Sequence, residues 1–542
     1  MKRLLTFLLV PGMVLGSIGP VGADQFRAQG AELRNISEPC ILSSELMYAS
    51  QALAAPPPFF FRTIGRLRSS APFAFLVRFW RRQQFDRLAE TDVFQAARAV
   101  GSATAIVGIP FYKEIDNIEG LVESTKRELE KRGMPAAIIV VGEFEQREFL
   151  AHVPEDRSAL VRVIALTKPP SFSQPPGPGR RSWSHRLIWQ IAHRLDKSRP
   201  NIVFIDADVL NRGWVSLFLN KLKEGADFVT ANYARGFTND DALVHLEDYL
   251  TFSTIFGAPI RGRHGGEYAM KWDLVNKFLN DTSLKYDYIY TLDSQLVSRV
   301  VRTGLLVTTV DLDPKRHKPI TNLFARLPEH FSADFEDIRK HLVSLILAPM
   351  KPSAALAQPI PASELKMNDL AKNPYRDNLF QEFKQRFGEQ KLLLRKILGR
   401  LYPRFKTLTL RTTDQVAIDP EIWALAAFQF ILYFAWRANT EERKNIGQAY
   451  VAIVAAGSLG FLNRTRGMSV REAFKLVDEE YLPAFRRIWR RMARFYLFHL
   501  LWTTRRLPVL ILRFMGHRAR SFPLFRSMTL PLHSPHIVEA SA

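Results

Sequence analysis

Short apolar runs alternate with amphipathic stretches between about residue 103 and residue 317. The apolar runs lie at 104–109, 136–141, 161–166, 202–205, 228–230 and 305–310. Short, largely apolar runs of this length are typical of strands buried in a parallel sheet. The stretches 116–131 and 182–195 between them have helical periodicity. This alternation predicts an α/β fold with a right-handed, doubly wound sheet.

The segments on either side of this α/β region have a different character. The predicted order is a signal-like or anchor segment at 1–23, a helical prelude at 24–100, the α/β domain at 101–330 and an all-α C-terminal region at 331–542. A proline-rich stretch at 351–361 reads as a linker or exposed loop. The apolar run 422–436 is short for a membrane span, so it predicts a buried helix.

Charge changes the picture because the chain is strongly basic. Seventy-five Lys and Arg residues against 53 Asp and Glu residues give a net charge of +22. Such a surplus predicts an anionic partner, which could be nucleic acid, a membrane or a phosphorylated molecule. The densest mixture of Arg with aromatic and aliphatic residues lies between Tyr481 and Arg520, outside the α/β segment. That position favours peripheral membrane contact over nucleic acid, although a solvated basic face on a packed helix fits it equally well.

Two aspartates provide the first candidate chemistry. The run 202–205 leads into Asp206, Ala207 and Asp208, so both acids fall where a parallel strand leaves the sheet. Carboxylates at that edge suit a hard divalent cation, and a divalent cation suits a diphosphate.

Candidate donor-binding residues follow the first strands. Pro110 and Glu114 come after the first strand, and Glu143 comes after the second. Gly179 and Arg180 precede a helix, where backbone N–H groups and a guanidinium can both face a phosphate. An ordinary flexible loop with surface arginines explains that last segment as well.

Later segments supply candidate acceptor and metal residues. The acceptor candidates are Arg261, Gly262, Arg263, His264, Gly266, Glu267 and Tyr268, in which glycines permit close approach and arginines favour a carboxylate or phosphate. Asp293 opens a helix, where capping alone could explain it. Lys315, Arg316 and His317 follow the last strand, an unusual position for a core histidine.

Taken in order, these motifs resemble the retaining GT-A glycosyltransferases typified by glucosyl-3-phosphoglycerate synthase and mannosylglycerate synthase. The resemblance covers about residues 103–320. It implies a GT-A, Rossmann-like sheet and a Mg²⁺ or Mn²⁺ ion held by Asp208 and His317. It also implies a nucleoside-diphosphate sugar near Asp206 and Ala207, with Lys315 and Arg316 facing its diphosphate.

The resemblance implies a hexosyltransferase with Asp208 and Asp293 as catalytic candidates. The expected donor is a UDP- or GDP-linked sugar, and the expected acceptor is a small anionic, glycerate-like molecule or a lipid-linked one, with retention of configuration. Because such donors are made in the cytosol, a cytoplasmic enzyme, with membrane association left open, is favoured over an exported one. A homodimer is left open.

Two alternatives remain at this point. A nucleotidyltransferase also couples a sheet edge to metal-bound carboxylates, but it would need a glycine-rich, lysine-bearing loop after the first strand, and the residues after Pro110 do not supply one. A basic, membrane-associated protein without catalytic activity would use the Asp pair only structurally.

Overall fold

Within the part of the chain that the structure describes, seven strands form one mixed sheet. Their bounds are β1 Ala105–Pro110, β2 Ala136–Gly142, β3 Val161–Thr167, β4 Asn201–Phe204, β5 Phe228–Tyr233, β6 Tyr268–Met270 and β7 Val307–Leu312. Their order across the sheet is β3-β2-β1-β4-β6-β5-β7. Neighbouring strands are parallel except that β6 runs antiparallel to both β4 and β5. The predicted α/β sheet is therefore confirmed.

This computed structural model of the chain describes 71–111, 115–154, 158–172, 180–209, 213–233, 246–284, 286, 292–312, 323–347 and 375–503. The described residues from Arg78 onward belong to one compact unit. The predicted domain boundary at residue 330 falls inside a helix, Leu323–Leu347. The signal-like segment 1–23 and the linker 351–361 lie outside the described residues.

The strand β6 corrects the sequence analysis. The apolar pattern predicts no strand between residues 230 and 305, but Tyr268–Met270 is a central strand that is buried along its whole length. Tyr268 pairs with Phe204 on one side and with Thr230 on the other. A strand of three residues is too short to show an alternation of polar and apolar positions, so the sequence pattern could not reveal it.

Helices cover both faces of the sheet. Their bounds are α1 Ala71–Val100, α2 Ile115–Lys131, α3 Arg180–His193, α4 Trp214–Lys223, α5 Leu246–Ile255, α6 Asp273–Asn280 and α7 Leu292–Arg302. Alternate side chains of β1 enter two different cores: Val107 packs with the apolar faces of α2 and α4, and Ile106 packs with those of α3 and α6. A strand that faces two cores has no polar side, which is why its sequence is continuously apolar.

The remaining helices form the C-terminal region. They are α8 Leu323–Leu347, α9 Tyr375–Glu389, α10 Lys391–Leu398, α11 Tyr402–Leu408, α12 Pro420–Trp436, α13 Thr440–Arg464, α14 Val470–Leu476, a π-helical turn Val477–Tyr481 and α15 Leu482–Thr503. The predicted buried helix corresponds to α12, whose side chains are largely inaccessible. Among the described residues one helix, Glu441–Arg464 in α13, is long and apolar enough to cross a membrane. However, 89% of its apolar 18-residue stretch is buried inside the protein.

The helix α15 has two contrasting faces. Its inward face packs on the rest of the protein through Leu482, Phe485, Ile488, Trp489 and Met492. Its outward face carries exposed arginines at 487, 490, 491 and 494. Residues 504–520, the remainder of the basic segment between Tyr481 and Arg520, lie outside the described residues.

Candidate metal and donor site

Three carboxylates converge at the carboxyl end of β4. Asp206 and Asp208 follow this strand directly, and Glu267 precedes the antiparallel strand β6. Because Phe204 lies opposite Tyr268, the chain entering β6 passes beside the chain leaving β4. One oxygen from each of the three carboxylates lies within 4.8 Å of the others. The sequence analysis had assigned Glu267 to acceptor binding, so the structure places it with a different group of residues.

The position of this acidic trio in the sheet is that of a ligand site. The strands β1, β2 and β3 extend in one direction, whereas β4 starts on the other side of β1. In open α/β sheets, ligands bind in the crevice outside the carboxyl ends of the strands at such a reversal of strand order. Pro110, the last residue of β1, borders the same edge.

The donor set of the trio fits a hard divalent cation. It offers only carboxylate oxygens, which Mg²⁺ and Mn²⁺ prefer. Glu267 is almost completely buried, and Asp206 and Asp208 are partly buried. Acids brought together in partly buried surroundings repel one another, and a bound cation relieves that repulsion.

A buried ion pair lies at the ends of β2 and β3. Lys168 Nζ donates to Glu143 Oε1 at 2.6 Å, and both side chains are buried. Beside it, the rings of Phe111 and Phe149 stack with centroids 4.6 Å apart. A Cβ at Gly142 would lie 2.3 Å from the ring of Phe149, so glycine is needed there. The predicted donor residue Glu143 thus belongs to a rigid, neutralised pair at the sheet edge.

Arg261, a predicted acceptor-binding residue, forms an ion pair inside the protein. Its guanidinium donates to both carboxylate oxygens of Asp478 at 2.7 Å. It also lies 4.4 Å from the ring centroids of Tyr249 and Phe474. These contacts join the loop before β6 to the C-terminal helices, and they favour a structural role for this arginine.

Arg263 is likewise occupied by protein carboxylates. Its Nε lies 2.8 Å from Asp248 Oδ1, and its Nη2 donates to Asp334 at 3.1 Å. Burial acts to raise the pKa of Asp248, but the guanidinium of Arg263 outweighs it and lowers that pKa to about 2. Burial acts to lower the pKa of His264, but Asp248 raises it to about 9. The contacts of Arg263 with Asp248 and Asp334 therefore hold the loop before β6 in place.

The other predicted site residues divide into two groups. Ala207 lies buried between the two aspartates, Arg180 is the first residue of α3, and Asp293 lies in the first turn of α7 and is largely buried. Glu114, Gly179, Lys315, Arg316 and His317 lie outside the described residues. The roles of all these residues, including His317 as a metal ligand, stay predictions.

Three carboxylates and one histidine that lie near the loop before β6 were not among the residues predicted from the sequence. They are Asp248, His330, Asp334 and Asp478. Only the i, i+4 spacing of His330 and Asp334 on one helix could have drawn attention to the pair.

No protein-family model and no curated protein matches the chain. Among solved structures, the chain is similar to glucosyl-3-phosphoglycerate synthase of M. tuberculosis, with 17% identity and a TM-score of 0.32 over 45% of this chain and 83% of that chain. A complex of that synthase with Mn²⁺, UDP and glucosyl-3-phosphoglycerate has 18% identity and a TM-score of 0.30, over 50% of this chain and 87% of that chain. A mycobacterial protein has 19% identity and a TM-score of 0.32, over 45% of this chain and 77% of that chain.

Proposed function

We propose that the chain is a metal-dependent glycosyltransferase that moves a hexose from a nucleoside-diphosphate sugar to a small anionic or lipid-linked acceptor. The observation that carries this proposal is the convergence of Asp206, Asp208 and Glu267 at the reversal of strand order. A diphosphate needs a cation at the site where it binds, and three carboxylates at a ligand-binding sheet edge supply the means to hold one.

The acidic trio would hold Mg²⁺ or Mn²⁺. When bound, such an ion stabilises the negative charge that develops on a departing nucleoside diphosphate. Asp208 and Glu267 are the proposed direct ligands among the described residues. Asp206, the third carboxylate of the trio, is proposed to lie nearer the ribose and to add its negative charge to the site. Lys315, Arg316 and His317 follow β7 in the sequence. His317 is proposed as a further metal ligand, and Lys315 and Arg316 are proposed to face the diphosphate.

The nucleoside is proposed to lie over the β1–β2–β3 half of the sheet. Glu143 is fixed there by Lys168, and a fixed carboxylate can accept hydrogen bonds from a base or a ribose. UDP and GDP sugars both fit this chemistry. The similar synthase has been crystallised with UDP-glucose and phosphoglyceric acid, so these are the first donor and acceptor to assay.

Transfer with retention of configuration is the proposed stereochemical course. In that course the acceptor hydroxyl attacks from the face of the leaving group, and no enzymic base on the opposite face is needed. Asp293 is the candidate base for the alternative, inverting course. Activity and product configuration that survive in Asp293→Asn would exclude that alternative.

The test is a turnover assay with UDP and GDP sugars, Mn²⁺ or Mg²⁺ and glycerate-type acceptors. We expect metal-dependent release of a nucleoside diphosphate. Asp208→Asn should lower kcat/KM by about 100-fold or more, because a metal contributes several kcal/mol of charge stabilisation. The control is Asp196→Asn, which changes an exposed carboxylate after α3.

Metal-independent activity, or no release from any of these donors, contradicts the proposal. Release of pyrophosphate from a nucleoside triphosphate would instead support the nucleotidyltransferase alternative.

Contact with an anionic membrane is the proposed role of the basic face of α15. Four exposed arginines and the exposed Phe495 lie on or next to this face. Sedimentation with vesicles that contain phosphatidylserine should require low salt and weaken when Arg490 and Arg491 are changed to Gln. Equal sedimentation of the double variant would refute this role.

A further inference from the structure

A second group of metal-binding side chains lies apart from the acidic trio. It consists of His264, in the loop between α5 and β6, with His330 and Asp334 on α8. One ligand atom of each residue lies within 4.8 Å of the others. Since His330 and Asp334 are four residues apart on a helix, they project from the same face.

The spacing of these atoms matches a tetrahedral metal centre. Nε2 of His264 and Nε2 of His330 each lie 3.5 Å from Oδ2 of Asp334. Ligands at about 2.0 Å from a tetrahedral zinc ion are about 3.3 Å apart. The centroids of the two imidazole rings are 4.1 Å apart. Little movement would therefore be needed to bring all three groups onto one ion.

The imidazole nitrogens lack hydrogen bonds of good geometry. Nδ1 and Nε2 of His264 and Nε2 of His330 are buried atoms without such a partner among the described residues. His264 Nε2 lies 3.2 Å from Asp248 without meeting hydrogen-bond geometry. Buried polar atoms that lack a hydrogen bond are costly, and an ion is one of the few things that satisfies them.

The surrounding groups would hold the acid ligand in place. Ser294 Oγ donates to Asp334 Oδ1 at 3.1 Å, and Arg263 Nη2 donates to Asp334 Oδ2 at 3.1 Å. Hydrogen bonds of this kind orient the ligands of metal centres. Asp248 adds a negative charge next to His264 that favours a cation.

We propose that His264, His330 and Asp334 bind Zn²⁺ or a similar late first-row divalent cation at a buried structural site with three protein ligands. Two imidazoles and one carboxylate form a set that zinc prefers over Mg²⁺. The ion would tie α8 to the loop that enters β6, three residues before Glu267. It would therefore fix the approach of Glu267 to Asp206 and Asp208, while remaining a separate site.

The test uses the full-length chain, purified without a histidine tag, in the Asp208→Asn background so that the acidic trio is disabled. After incubation with Zn²⁺ and gel filtration, we expect about one zinc per chain. X-ray absorption at the zinc edge should show about two imidazole ligands at about 2.0 Å. These measurements need no change at the new site itself.

Variants then assign the ligands. His330→Gln and Asp334→Asn should each weaken zinc binding by about tenfold or more. His193→Gln, which changes an exposed histidine on α3, should bind zinc as the parent does. If the folded parent retains no zinc, a proton and not a metal compensates the negative charge of the cluster. That result would overturn the proposal. Bound zinc without imidazole ligands would overturn it too.

Discussion

Phe204 of β4 lies opposite Tyr268 of β6 in antiparallel register. This pairing brings the residue before Tyr268 to the end of the strand that carries the Asp-X-Asp motif. Glu267 thereby joins Asp206 and Asp208, which come from a segment about 60 residues earlier. One short strand, inserted between parallel neighbours, thus completes the candidate metal site.

The first prediction concerns Glu267. Glu267→Gln keeps the size of the side chain but removes one of three negative charges, and the number of charged ligands sets the affinity for hard cations. We expect the affinity for Mn²⁺ to fall by about tenfold or more, measured by titration calorimetry on the purified chain. Glu224→Gln, on an exposed residue after α4, is the matched control. Unchanged Mn²⁺ affinity would remove Glu267 from the site.

The second prediction separates backbone strain from steric overlap in the loop before β6. Gly262 has φ +65°, and a Cβ there would lie 1.6 Å from the carbonyl oxygen of Ala231. Gly133 has φ +63° and open space around it. Gly133→Ala should cost about 1 kcal/mol of unfolding free energy from its positive φ alone.

For Gly262→Ala we expect a larger loss, about 3 kcal/mol or more, because the backbone of β5 must also move. Urea unfolding of both variants measures the difference. Equal costs would mean that the loop relaxes without difficulty. The activity of the Gly262 variant should fall as well, since the same loop leads to Glu267.

The third prediction concerns the ion pair of Glu143 and Lys168, in which both groups are buried. Lys168→Met removes the ammonium group that neutralises a buried carboxylate, which should cost about 3–5 kcal/mol. In the double variant with Glu143→Gln, much of that loss should be recovered because the buried charge has gone. Chemical denaturation of the two single variants and the double variant gives the coupling energy.

The same double variant tests the proposed donor role. If Glu143 contacts the nucleoside, the KM for the donor rises even where stability is recovered. A donor KM equal to that of the wild type would assign the pair to folding alone.

The fourth prediction concerns pH and His341, which lies on α8. Burial, followed by the charge of Arg302, lowers the pKa of His341 to about 4, while Asp337 acts in the opposite direction. The unfolded chain therefore takes up a proton on this residue near its ordinary pKa of 6.5, whereas the folded chain does so only near 4. His341 thus contributes to the free energy of unfolding above about pH 6.5, and this contribution is lost as the pH falls from 6.5 towards 4.

Because His341 is partly exposed, screening should limit this loss to about 1 kcal/mol. Unfolding free energies at about pH 7.5 and about pH 5 should differ less in His341→Gln than in the wild type. His152→Gln, on an exposed histidine, should keep the wild-type difference. If His341→Gln shows the same change in unfolding free energy between these two pH values as the wild type, His341 is not the group responsible.

Largely apolar runs were enough to predict six strands of the sheet, and the pattern is clearest in β1 and β2, which are buried along their whole length and have no polar side. The strand end at Asp206 and Asp208 was equally visible, because carboxylates after an apolar run stand out. The helices predicted at 116–131 and 422–436 from periodicity and composition correspond to α2 and α12. These are all local properties of the chain.

Contacts between distant segments were decided only by the tertiary structure. Glu267 became part of the acidic trio through a three-residue strand, and Arg261 was drawn to Asp478, more than 200 residues away. The cluster of His264, His330 and Asp334 arises in the same way, where a helix of the C-terminal region meets a loop of the sheet. A sequence pattern records which side chains are buried, but the pairing of buried charges depends on packing in three dimensions.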